Sequence, residues 1–142
     1  MDLSKAFPRS PKQVMAGLVH LSRMIDKGRA YKENKLADYI FPCALDKIIL
    51  SFLRIDAEVF ANMIIEKNDD EINEWAKEII KSKPQSDLAF TNNQILERRP
   101  DSKDRFEYFN ELRNKIDPSR TDVNTWAELI DLEEGRQPPK SQ

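Results

Sequence analysis

An all-α fold is predicted by three observations. Apolar residues recur at helical spacing along most of the chain, no segment alternates convincingly in the manner of a strand, and the 142 residues include only three glycines. With 34% charged and 39% hydrophobic residues, the composition is that of a folded helical protein, and the length suits one domain with a real core. The expectation is a single compact domain of six to seven helices over residues 1–135. A disordered C-terminal tail with two prolines is expected over 136–142.

The first helix is expected from Pro11 to about Gly28. Ser10 and Gln13 have the spacing of a capping box, and Pro11 falls where a missing N–H costs nothing. Val14, Leu18, Leu21 and Ile25 then share one stripe, which marks a core face. His20, Arg23 and Lys27 fall together on the far side, a face that is either solvated or functional. Gly28 is the expected stop. Ahead of this helix, Leu3 and Phe7 are the residues able to pin the N-terminal arm.

Beyond it, Tyr39 to Pro42 is an apolar connection in which Pro42 makes Phe41 extended. A second helix is expected from about Leu45 to Leu53, and a third, capped by Asp56, from Ala57 to Lys67. Asp69 or Asp70 caps a fourth, built on Ile72, Trp75, Ala76, Ile79 and Ile80. Ser86 or Asp87 opens a fifth that runs to Leu96, weakened by Thr91, Asn92 and Asn93. From about Ser102, Phe106, Phe109, Leu112 and Ile116 give the stripe of a sixth. Thr121 or Asp122 caps a last helix with Val123, Trp126, Ala127, Leu129 and Ile130, ending near Gly135. Arg120 tethers that turn to an acidic neighbour.

The formal net charge of −2 carries no overall attraction to nucleic acid or an anionic membrane, so neither is an expected partner. Its distribution is uneven. Residues 1–35 hold eight Lys or Arg against three Asp or Glu, an excess of +5 that leaves −7 for the rest. No secretory pattern is visible, and no apolar run approaches the roughly 18 residues of a membrane span. A cytoplasmic location is expected, in keeping with a single cysteine. One histidine and one cysteine fall short of the usual zinc set, so no metal and no cofactor is expected.

The candidate site lies beside the first helix. His20, Arg23, Asp26, Lys27 and Arg29, with Tyr39, Cys43 and Asp46 from the following connection, have the chemistry to hold an anion. The helix start after Cys43 would add its unpaired N–H groups. Against that stands a plain solvated face, with Asp26 pairing Arg23 or Arg29 at helical spacing. A Cys43–His20 nucleophile and base would require the two side chains to meet. The expectation is a non-enzymatic cytoplasmic binding or interaction protein whose partner is left open between a protein and an anionic small molecule; the alternative is a small enzyme or sensor for an anionic metabolite.

Several segments carry a family resemblance: Phe7-Pro8-Arg9-Ser10-Pro11, His20 through Ala30, Pro42-Cys43 with Leu45-Asp46, and Arg120 through Trp126 with Ile130-Asp131-Leu132. In these the chain resembles a bacterial family catalogued as a domain of unknown function, number 5069. The resemblance implies a bacterial cytoplasmic protein and brings no activity with it.

Overall fold

The computed structural model describes residues 1–140. These form seven α-helices and one two-stranded antiparallel ladder, so the all-α class and the helix number are as expected. The chain divides into two compact units, Met1–Ile95 and Leu96–Gln142.

In the first unit, Val14–Met15 (β1) pairs with Leu18–Val19 (β2), Val14 opposite Val19 and Met15 opposite Leu18. This corrects two expectations, since a short ladder exists and the first helix, α1, starts at Leu21 and runs to Lys32. The cause lies in Ala16 and Gly17. Both have positive φ, 56° and 84°, the geometry of a two-residue hairpin turn. Ser10 does not open a helix; its hydroxyl accepts from the Lys12 N–H within a local turn. The helical stripe therefore spans two elements, with Val14 exposed and Leu18, Leu21 and Ile25 buried.

Helix α1 is buried at every position from Leu21 to Gly28, so of the two alternatives for its charged face, solvated or functional, the solvated one does not hold. Gly28 does not stop the helix either. It lies in mid-helix where α1 meets α3 (Ala57–Ile64), and a Cβ added there would fall 2.7 Å from Ile64 Cδ1. Glycine is needed for close approach, not for conformational freedom. Gly28→Ala gains about 1 kcal/mol of helix propensity but overpacks a fully buried isoleucine at about 1–3 kcal/mol, so the clash prevails. A melting temperature lowered by a few degrees is the expected reading, and a raised one would show that Ile64 yields freely.

Helix α2 covers Ala44–Leu53, α4 Asp69–Ile80 and α5 Gln85–Leu96. Asp56 caps α3 by accepting from the Glu58 N–H, although α3 ends at Ile64 rather than Lys67. The cap of α4 is Asn68, in a reciprocal box with Glu71, and not the expected Asp69 or Asp70. Asn92 explains why α5 tolerates a poor helix former. Its amide donates to the Gly17 carbonyl at 2.9 Å and its oxygen accepts from the Val19 N–H at 3.0 Å, clamping the hairpin turn. Leu3 is buried, with its N–H on the Lys35 carbonyl, whereas Phe7 is exposed. Phe41 is buried before a cis peptide to Pro42.

In the second unit, α6 covers Lys103–Ile116 with Ser102 as its cap, and α7 covers Trp126–Glu133. The cap of α7 is Thr125, which accepts from the Glu128 N–H, so Thr121 and Asp122 remain outside the helix. Phe109, Val123, Leu129 and Leu132 form the core, with Leu112 and Trp126 packed against it. Phe106 and Ile116 are exposed, so only part of the expected α6 stripe is core. Arg120 forks the Asp122 carboxylate and also donates to the Gln137 side chain and the Pro138 carbonyl. Residues 137 and 138 are thereby held rather than free as a tail, and the tail's last two residues, 141 and 142, lie outside the described residues.

Candidate functional site

Four of the eight site residues meet in one cluster between α1 and α2. His20 immediately precedes α1 in a left-handed conformation (φ 70°), which turns its ring inward; the side chain is fully buried. Seven residues on, about two helical turns, Lys27 faces the same space. Cys43 is the N-cap of α2, and Asp46 stands three residues on, where a capping-box acid belongs.

Asp46 is the hub. Its Oδ1 accepts from His20 Nε2 at 2.7 Å, and its Oδ2 accepts from Lys27 Nζ at 2.7 Å and from the Cys43 N–H at 2.9 Å. An ionised carboxylate only accepts, so the ring proton sits on Nε2. Nδ1 of His20 is buried with no hydrogen-bond partner. Lys27 Nζ also donates to Cys43 Sγ at 3.1 Å, and Sγ faces the Asp46 N–H as the weak, sulfur half of the capping box.

Charges decide the titration of this cluster. Burial alone would raise the Asp46 carboxyl, but the His20 hydrogen bond and the Lys27 ammonium hold it far below the usual carboxylate range. Burial opposes the charged form of His20, and Asp46 with Cys43 outweighs it, so the imidazole is raised. Burial likewise pushes the Cys43 thiol up, with Asp46 adding to it. His20, Lys27 and the Asp46 N–H more than reverse this and leave the thiol below its ordinary value. Cys43 itself is half-buried, unlike His20 and Asp46.

A nitrogen of His20, the sulfur of Cys43 and an oxygen of Asp46 lie within 4.8 Å of one another, close enough to ligate one metal ion. Lys27 already places a positive charge against two of the three, so a metal would have to displace it. The donor set fits a proton-exchanging thiol site without such a displacement.

The other four residues serve elsewhere. Asp26 pairs with neither Arg23 nor Arg29; it accepts from Arg9 Nε at 3.0 Å, Arg9 Nη2 at 3.1 Å and the Arg9 N–H at 2.8 Å. Arg9 and Arg29 then share Asp69, at 2.8 and 3.0 Å, and Arg29 also donates to the Lys67 carbonyl. Burial raises the Asp69 carboxyl, but these two guanidinium groups bring it below its ordinary value. Arg23 donates to the Arg9 carbonyl and lies over the Tyr39 ring, 5.5 Å from its centre. The cations expected to receive an anion are thus engaged by groups of the chain itself. Arg9 and Asp69 were missed by helical spacing because their contacts bridge 17 and 60 residues, where no local pattern operates.

Comparison with curated proteins gives no match. A family model described as "Domain of unknown function (DUF5069)" matches residues 5–136, a span that contains every residue of the cluster, and the chain belongs to that family.

Proposed function

We propose that the protein is a thiol-based sensor: a cytoplasmic bacterial binding protein whose working group is the Cys43 thiol. The observation that carries this reading is the 3.1 Å contact of Lys27 Nζ with Cys43 Sγ, in a cluster that also lowers the thiol's proton affinity. A thiolate is the nucleophilic form of cysteine, and a neighbouring ammonium favours it. With a hydroperoxide, the Cys43 sulfur attacks one oxygen, the S–O bond forms and the O–O bond breaks. The released alkoxide or hydroxide takes a proton, for which Lys27 is the adjacent donor, and Cys43 is left as a sulfenic acid. A reducing cytoplasm would return it to the thiol, which suits a chain with one cysteine. The family match across both compact units supports reading residues 1–135 as one domain.

Alkylation of the folded protein by iodoacetamide, followed by mass against pH, tests the reading. Cys43 is expected to react with a midpoint below the ordinary value of about 8.5, and Lys27→Met is expected to raise that midpoint by about one unit or more and slow reaction at neutral pH. A midpoint at or above the ordinary value, or modification only after unfolding, would remove the sensor reading.

A further inference from the structure

A second site lies on the other face of α2, away from the Cys43 cluster. An open cleft of about 530 Å³ is lined by Lys47, Ile48, Phe52, Arg54, Lys83 and Phe90, together with polar groups that include Asp87. It is within the size range of small-ligand sites. Its composition is unusual for an acidic chain: three cations face one carboxylate. Lys47 and Arg54 are exposed and, unlike Arg9, Lys27 and Arg29, form no ion pair within 4 Å among the described residues. Two phenyl rings share the wall. Lys83 Nζ covers the Phe52 ring at 4.9 Å from its centre, while Phe90 is 63% exposed and offers an uncovered face.

Uncommitted cations beside an uncovered aromatic ring specify a ligand with two parts. A planar ring stacks on Phe90, and an anionic group meets Lys47 and Arg54. We propose that this cleft binds a small aromatic anion of nucleotide size, a heteroaromatic ring that carries a phosphate. The requirement for both parts separates this site from a generally basic surface, which would take phosphate alone.

The test titrates the full-length, nitrogen-15-labelled protein with adenosine monophosphate, and in parallel with ribose 5-phosphate and with adenosine, following backbone amide shifts. Saturable shifts at Lys47, Ser51, Arg54 and Phe90 are expected, with adenosine monophosphate bound at least about tenfold more tightly than either fragment. Arg54→Ala and Phe90→Ala should each weaken it by about tenfold. Both side chains are exposed, so an unchanged amide spectrum without ligand verifies that the variants fold. Absence of saturable shifts overturns the proposal, as do shifts that map to other residues or a fragment that binds as well as the nucleotide. The Cys43 alkylation profile is independent of all these outcomes.

Discussion

Asp46→Asn is expected to lower stability to urea by about 3–5 kcal/mol, the range for breaking a buried ion pair by removing one partner. Asn preserves the volume, so no cavity contributes. What is lost is a carboxylate, fully buried, that accepts from His20 Nε2, Lys27 Nζ and the Cys43 N–H. The amide presents a donor to one of these donors and leaves Lys27, itself 4% exposed at the side chain, without a counter-charge. The pH dependence has a definite sign. Asp46 is depressed in the folded state, so its contribution is complete above its unfolded value of about 4 and is lost as pH falls through the folded value. His20 is raised, so its contribution is complete below about 6.5 and is lost as pH rises through the folded value. The pair therefore stabilises most in the mildly acidic window between. Urea midpoints across that range should show a maximum that the Asn variant flattens. A variant within about 1 kcal/mol of the parent at every pH would mean the cluster is not held by charge.

Phe109→Ala is expected to cost about 3–5 kcal/mol in the second unit. Phe109 is 1% exposed and meets Trp126 edge to face, with ring centres 5.0 Å apart and planes at 74°. Four buried side chains with two flanking ones make a small core, so the void left by one ring has few neighbours able to collapse into it. Trp126 is the natural reporter. In a Trp75→Phe background its fluorescence follows only this unit, and its unfolding midpoint should fall sharply. A shift equivalent to less than about 1 kcal/mol would show that α6 and α7 re-close around the gap.

Local signals in the chain read most helices well. The cap at Asp56, the start of α6 near Ser102 and the apolar spacing of α2 and α4 are local chemistry, and the structure keeps them. The failures share a cause. Val14 to Val19 fits a helical period by coincidence, and strands two residues long are too short for alternation to register. At the site, only the pairing of His20 with Lys27 at helical spacing and the Cys43 to Asp46 step were legible, because both are local; the meeting of the two pairs was not. Their burial was not, since it depends on what packs over α1. Asp26 illustrates the limit: two arginines at helical spacing looked like its partners, and Arg9, 17 residues away, took both oxygens. The charged face is a buried seam of ion pairs.

The Asn92 clamp ties a local turn to a distant part of the chain: Val19 donates its N–H to a side chain 73 residues along. His20 directly follows β2, and the left-handed geometry that turns its ring toward Asp46 is set at that junction. The junction that sets the imidazole is thus anchored to α5 by one of the most non-local hydrogen bonds of the first unit, and closing so long a loop has an entropic cost that the rest of that unit must offset.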